Sequence, residues 1–296
     1  MIIDNKFSKQ RLDRYIRRKY GQVPQSLIEK AIRNKDILVN DCKPKSSDRI
    51  SEKDKIYIHP NIKKLFDNIA NTNKHTDEIA ISKKYVNVFK NIIIYEDESL
   101  LVVNKPSGMA VQLGSKINVA LDIIARTYNP ELRLVHRIDK DTSGLTIFAK
   151  NPEVAHYMLE QFKTKSLKKT YVAMLSKKVN FKNITIRERL LKDKDKVIID
   201  PVNGKDAITQ FSFIKNISGM SLVYAKPLTG RTHQIRVHLA SINAPILGDK
   251  KYGGKQDKHL YLHAYTVTLK QYTTEKTISI TAPLPEYFRV QTLTND

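Results

Sequence analysis

The chain has 296 residues, 41% hydrophobic and 28% charged, enough apolar material for the core of one large domain with or without a small companion. No stretch approaches the roughly 20 apolar residues that cross a bilayer, the start MIIDNKFSKQ lacks a signal-peptide apolar run, and the single cysteine, Cys42, excludes an intramolecular disulfide or a cysteine zinc cluster, so a soluble cytoplasmic protein is expected. Lys and Arg number 52 against 30 acids, a net charge of +22 that is densest in residues 1–35 (10 basic, 3 acidic), which points to a polyanionic partner.

Residues 8–20 (SKQRLDRYIRRKY) suit a helix with Ser8 as N-cap: Leu12, Tyr15, Ile16 and Tyr20 recur at helical spacing, and Arg11, Arg14 and Arg18 form a neighbouring stripe. The stretch has ordinary core apolars and no Trp/Phe-rich insertion face, which favours nucleic acid over a membrane. Gly21 ends that helix, and Pro24 starts a second with Leu27, Ile28, Ala31 and Ile32 inward. Ile37-Leu38-Val39 and Lys55-Ile56-Tyr57-Ile58 read as short strands around a polar turn. A basic module over 8–60 follows. Residues 61–90 are polar and rich in Asn, Lys and Thr, with a short helix expected at most near Leu65 and Phe66, and read as a linker, tethered or partly disordered.

From 91 to 290 the pattern is mixed. Strands are expected at 92–95, 100–104, 143–149, 170–175, 209–214, 221–225, 261–269 and 277–280, and helices at 118–128, 153–162 and 232–241. Hairpins outnumber strict βαβ units, so the fold class is α+β with a mixed, mostly antiparallel sheet.

Generic cofactor motifs are missing: there is no P-loop, dinucleotide fingerprint or H-E-x-x-H, and no cofactor is expected. His136, His233, His238 and His263 make a poor metal set, because 233 and 238 are five positions apart and fall on different helix faces. No metal is expected. Two polar clusters remain. Residues 134–150 (LVHRIDKDTSGLTIFAK) set His136, Arg137, Asp139, Asp141, Thr142, Ser143 and Gly144 between apolar runs, in a loop at strand ends. Residues 228–238 (LTGRTHQIRVH) open a helix after a glycine, with two arginines suited to an anion or a carboxylate. Alone, these support an enzyme with an Asp–Arg site or a phosphate-binding surface.

Together they resemble a known family. His136-Arg137-Ile138-Asp139-x-x-Thr142-Ser143-Gly144 resembles the H-R-L-D-x-x-T-S-G signature of RluA-type pseudouridine synthases, with Ile138 in place of Leu. Thr229-Gly230-Arg231-Thr232-His233-Gln234-Ile235-Arg236-x-His238 resembles their second signature, and Lys169-Thr170-Tyr171-Val172-Ala173 their K-x-Y-x-A motif. Asn104-Lys105-Pro106-Ser107-Gly108, Gly248-Asp249-x-x-Tyr252-Gly253 and Leu262-His263-Ala264 are weaker matches in the family's order. At the N-terminus, Val23-Pro24-x-Ser26-x-Ile28, Ile37-x-Val39-Asn40 and Asp54-x-Ile56-x-Ile58 resemble an S4 RNA-binding domain, except that Lys35-Asp36 stands where that family has a glycine. Within the synthases the pattern is most similar to the C-type branch, which acts on the bacterial large ribosomal subunit, although Gln112 replaces a histidine usual there.

The resemblance implies isomerisation of uridine to pseudouridine in 23S rRNA or a large-subunit assembly intermediate, by a cytoplasmic monomer without cofactor or metal. It implies Asp139 as the catalytic carboxylate, Arg231 as the arginine paired with it, and Tyr171 as a ring that stacks on the uracil. Arg137 would fill the space left by a flipped base. His136, Thr142, Leu228, His233, Gln234 and Arg236 would line the substrate, and Arg11, Arg14, Arg18, Ser26, Arg33 and Lys35 would contact RNA. A D-type or tRNA-modifying relative is the alternative within the family. Outside it, the alternative is a non-catalytic S4-bearing assembly factor, against which intact Asp139, Tyr171 and Arg231 argue.

Overall fold

A computed structural model describes residues 3–4, 9–21, 23–77, 83–113 and 119–288. Ser8, the expected N-cap, and Asn118, the expected start of a helix, lie outside the described residues. The chain divides into two compact units, Met1–Lys83 and Lys84–Asp296.

In the first unit, α1 (Leu12–Tyr20) and α2 (Gln25–Arg33) precede two short antiparallel strands, β1 (Ile37–Val39) and β2 (Ile56–Ile58), with Ile37 opposite Ile58. The expected inward stripe is the buried one: Leu12, Tyr15, Ile16 and Tyr20 from α1 meet Ile28, Ala31 and Ile32 from α2. Gly21 leaves α1 at φ 77°, and Pro24 occupies the N-cap of α2, where a missing N–H costs nothing. Lys35 takes the left-handed conformation at φ 63° and turns the chain from α2 into β1 without a glycine.

The stretch 61–90, expected as a linker, is helical wherever it is described. It forms most of α3 (Pro60–Asp77) and α4 (Lys83–Asn91). Ile62, Phe66 and Ile69 sit at i, i+4, i+7 spacing on the first unit's core. Phe66 is fully buried, its ring 5.4 Å from that of Tyr20, a burial that contributes about 2–3 kcal/mol. In the second unit Phe89 of α4 is equally buried, against Tyr128 and Phe148. Two apolar anchors suffice where composition alone suggests coil.

The second unit is α+β, built on a mixed, mostly antiparallel sheet. Its strands are β3 (Ile93–Glu96), β4 (Leu100–Lys105), β5 (Arg133–Leu134), β6 (Ser143–Ala149), β7 (Lys168–Leu175), β8 (Asn183–Asp193), β9 (Lys196–Ile199), β10 (Lys205–Ile217), β11 (Met220–Pro227), β12 (Leu262–Lys270) and β13 (Thr277–Thr281). The order is β3-β4-β6-β12-β7-β11-β10-β8-β9, with β5 on β6 and β13 on β12. The β6–β12 pair is parallel and the other pairs are antiparallel. α5 (Leu121–Tyr128), α6 (Pro152–Thr164) and α7 (Gln234–Ser241) complete the unit. β5, β8 and β9 were not expected from sequence.

Register positions the site. Gly144, Ala264, Tyr171 and Ala225 form one row across β6, β12, β7 and β11. Tyr171 is the one large side chain in that row. At Gly144, with φ +109°, a Cβ would collide with the backbone of Ala264, so only glycine lets β12 close on β6 here. Two core clusters flank the row, one centred on β7, β10, β11 and α7, the other on β4, β6 and α6, and Tyr171 touches both.

Candidate active site

The loop 135–142 leaves β5 and enters β6. Thr142 N–H donates to the Asp139 carbonyl at 3.2 Å and closes a turn that leaves the Asp139 carboxylate part-exposed. Behind the loop stands a fully buried lysine. Lys105 Nζ donates to the carbonyls of Pro106, Met109 and Lys140 at 2.9, 2.8 and 2.9 Å, one acceptor for each ammonium hydrogen. Burial pulls Lys105 down to about 7, opposed by the charges of Asp141 and Asp139. Ser107 Oγ to the Asp141 carbonyl (2.7 Å) and Gly108 N–H to the Lys140 carbonyl (3.0 Å) add to the clamp.

Facing Asp139 is the segment that follows β11. Arg236 Nη1 and His233 Nε2 each lie 3.8 Å from Asp139 Oδ2. Arg236, on the first turns of α7, is itself held by a fork: Nε and Nη2 each donate to the buried carboxylate of Asp249 at 2.8 Å. Its guanidinium lies 5.1 Å from the centre of the Tyr252 ring. Burial lowers the guanidinium's affinity for its proton, but the Asp249 bond and charge outweigh this and Arg236 is raised. His233 is lowered, chiefly by burial, against the pull of Asp139.

Of the two arginines in this segment, Arg236 is the one at ion-pair distance from Asp139. Arg231 also lines the cleft that holds Asp139, with its Nε donating to the Asp206 carbonyl at 3.0 Å, whereas the guanidinium 3.8 Å from the Asp139 carboxylate is that of Arg236. Arg231 lies in the turn before α7, while Arg236 is inside the helix one turn later, on the face toward the loop.

Other expected contacts divide in two. Arg137, Thr142, Tyr171, Arg231, His233, Gln234 and Arg236 line a solvent-open cleft of about 530 Å³ with Asp139, Lys169 and Leu262. Gln234, however, is buried and fully engaged by protein: Oε1 accepts from Thr229 Oγ1 and Arg231 N–H, and Nε2 donates to the Ile208 carbonyl and Thr209 Oγ1. It builds the turn and has no bond left for a ligand. His136 does not face the cleft either. Its Nε2 accepts the Ile147 N–H at 3.0 Å, its ring lies 5.1 Å from Phe162, and desolvation pushes it down to about 3. The segment pairs with β6 at this point, which turns His136 inward behind Tyr171. Leu228 is exposed beside the cleft.

Tyr171 is raised, first by desolvation and then by Asp139, so its hydroxyl keeps its proton at neutral pH. Lys169, at the same cleft, is lowered by burial. His238 is buried with Nδ1 2.9 Å from Thr209 Oγ1, away from the cleft, and is pushed down to about 4 by desolvation. Among the described residues there is no cluster of three or more His, Cys, Asp or Glu able to hold a metal, and no helix is long and apolar enough to cross a membrane. Asp249, Tyr252 and Lys105 carry the geometry of the site although no role is expected for them from the motifs. Their signal is a polar residue inside a glycine-bearing apolar context, and it names no partner.

In the first unit, Arg14, Arg18, Ser26, Arg33 and Lys35 are exposed. Arg11 is also exposed, but its Nε and Nη2 hold buried Asp13 at 3.1 and 2.6 Å, so part of its charge is neutralised within the fold.

Residues 99–241 match the family model described as RNA pseudouridylate synthase. The chain is 38% identical to the ribosomal large subunit pseudouridine synthase C of Rickettsia bellii (strain RML369-C), over 94% of this chain and 95% of that one. It is 34% identical to the protein of the same description from Vibrio vulnificus (strain CMCP6), over 96% and 92%. Among solved structures, human RNA pseudouridylate synthase domain containing 1 is similar with a TM-score of 0.57 and 27% identity, covering 65% of this chain and 83% of that chain.

Proposed function

Because this chain belongs to the RNA pseudouridylate synthase family, an RNA uridine isomerase, we propose that it converts uridine to pseudouridine in 23S rRNA of the large ribosomal subunit, with Asp139 as the reacting carboxylate. The relatives named for the large subunit, similar over nearly the whole of both chains, support that substrate. The observation that carries the role of Asp139 is its setting. One carboxylate, part-exposed in a cleft, has the Arg236 and His233 nitrogens at 3.8 Å and shares its cleft with Tyr171.

The reaction breaks N1–C1′, turns the uracil, and joins C5 to C1′. The C5 proton leaves and N1 gains one, so nothing is consumed. Asp139 acts on the ribose, by attack at C1′ or as base at C2′. Arg236 places a fixed cation beside that carboxylate. Tyr171, a neutral phenol in a row otherwise of Gly and Ala, offers a face on which uracil stacks and a hydroxyl that donates. Arg137 stands at the rim, exposed, where it can take the place of an extruded base.

The first unit acts as an S4-type RNA anchor. Two helices followed by a β-hairpin present Arg14, Arg18, Arg33 and Lys35 outward, and phosphate contacts of this kind position an enzyme while the cleft reads the base. The test is to map pseudouridine in rRNA and tRNA from cells with and without this protein, then to restore the lost sites with purified enzyme. Loss confined to 23S rRNA is expected. Loss confined to tRNA, or at no site, overturns the assignment.

A further inference from the structure

Tyr252, in a weaker motif match to which the resemblance gives no role, reaches the carboxylate through His233. The Tyr252 hydroxyl has two protein partners: it accepts the Val197 N–H at 2.9 Å and lies 2.7 Å from His233 Nδ1. With one lone pair already engaged by a backbone donor, the hydroxyl's own hydrogen has one nearby acceptor among the described residues, the imidazole Nδ1. If the imidazole donated instead, the phenol hydrogen would be left without a partner. A neutral imidazole that accepts at Nδ1 carries its hydrogen on Nε2, the atom that faces Asp139 Oδ2 at 3.8 Å.

We propose that Tyr252 is a positioning residue for the isomerisation: anchored by the β9 backbone, it fixes His233 as the neutral Nε2–H tautomer and so presents an uncharged donor to Asp139.

Several features fix the phenol. Its ring packs with Leu190, Val197, Ala207 and Val237 in a small core between the β8–β9 hairpin, β10 and α7. It also sits edge-on to the His233 ring, centroids 5.5 Å apart. Gly248, at φ +76°, has no room for a Cβ against the His259 backbone and so sets the start of the 248–254 turn. Asp249 Oδ1 then accepts the N–H of Lys251 and of Tyr252 at 3.0 and 3.2 Å while forking Arg236. One turn thus holds both groups that flank Asp139, the arginine through Asp249 and the histidine through Tyr252. Lys251 Nζ on the Asp195 carbonyl ties the same turn to the hairpin tip.

The charges around His233 come from every side. Asp139 and Asp249 favour its protonation, Arg236 and Lys251 oppose it, and burial, the largest influence, also opposes it. An imidazole kept neutral leaves Asp139 with one full cationic partner, Arg236. A second cation would hold the carboxylate in an ion pair and blunt its reaction with ribose.

This rests on Asp139 being the reacting carboxylate, and the test keeps the two apart. Full-length protein with ¹⁵N-labelled histidine, assigned by a His233→Gln variant, is titrated by NMR to read tautomer and protonation at His233. Wild type should show Nε2–H and titrate below the usual histidine range. Tyr252→Phe keeps the ring against Arg236 and removes only the hydroxyl. It should populate the Nδ1–H form and titrate higher. Its kcat should fall at least about 5-fold with KM changed less than 2-fold, and the acid limb of its pH profile should move up. In a His233→Gln background the same change should cost nothing further. An unchanged tautomer in Tyr252→Phe, or an equal kcat loss in both backgrounds, overturns the proposal. The NMR result is independent of which carboxylate reacts, so an active Asp139→Asn enzyme would sink the assignment of Asp139 without touching the tautomer.

Discussion

Replacing Arg236 by lysine separates the two arginines of the second signature. The wild-type guanidinium does two things at once: Nε and Nη2 fork the buried Asp249 carboxylate and Nη1 faces Asp139. An ammonium retains the charge but is a single point and cannot serve both carboxylates. At least one charge-assisted bond to Asp249 is lost, about 1.5–3 kcal/mol. At roughly 2–4 °C per kcal/mol for a unit of this size, Tm should fall by about 3–12 °C. Asp139 loses its fixed cation as well, so turnover should fall at least about 10-fold, roughly 1.4 kcal/mol on the barrier. Arg236→Met, which strands the buried Asp249 charge, should cost more stability, about 3–5 kcal/mol. The control is Arg231→Lys, where one bond to the exposed-side Asp206 carbonyl is at stake. Turnover is read as tritium released to water from RNA labelled at uridine C5, the hydrogen that isomerisation displaces, alongside a thermal melt. Wild-type turnover in Arg236→Lys, with a large loss in Arg231→Lys, would refute the reading and return the pairing role to Arg231.

Tyr171→Phe keeps the stacking face and removes the hydroxyl, so RNA should still bind while product formation slows or stalls; full activity would leave stacking as the residue's whole contribution. Two buried histidines, His238 and His263, are each held down to about 4 by desolvation, against 6.5 when free. The unfolded chain therefore takes up protons that the fold refuses, and stability drops as pH falls from about 6.5 toward 4, by about 2 kcal/mol per histidine at pH 5; urea midpoints that are flat between pH 7.5 and 5 would contradict this. In the first unit, Arg14→Gln, Arg18→Gln and Arg33→Gln in the full chain should each make the salt dependence of RNA binding shallower by about 0.7 log units per lost single-strand phosphate contact. Arg11→Gln should change it least, because Asp13 already holds that guanidinium. Equal slopes for all four variants and wild type would make the arginine stripe a solvated face.

Periodicity made the helices of the first unit and most of the central strands legible, because Leu12, Tyr15 and Ile16 or the all-buried β6 repeat apolar residues at the spacing of their element. β8 escaped because Glu188 occupies a half-buried position between Ile186 and Leu190 and breaks the alternation. Only a short helix near Leu65 and Phe66 was legible in α3, because Ile62, Phe66 and Ile69 are few among many polar residues, yet each meets the core. At the site, the motif marked the right loops and cleft but not which members face it. His136 and Gln234 satisfy backbone partners that are distant or newly turned in sequence, and one helical turn separates Arg231 from Arg236, the arginine at ion-pair distance from Asp139. Such choices are made by tertiary hydrogen bonds, which a linear motif does not encode.

The most direct test of the site is Asp139→Asn in the full chain, with RNA affinity and pseudouridine formation measured on the same 23S rRNA fragment. The amide keeps the shape of the carboxylate and removes its charge, and its loop is still closed by the Thr142 N–H and clamped by Lys105. Affinity within about 3-fold of wild type and no detectable isomerisation is the expected result. Turnover above a tenth of wild type would contradict Asp139 as the reacting group.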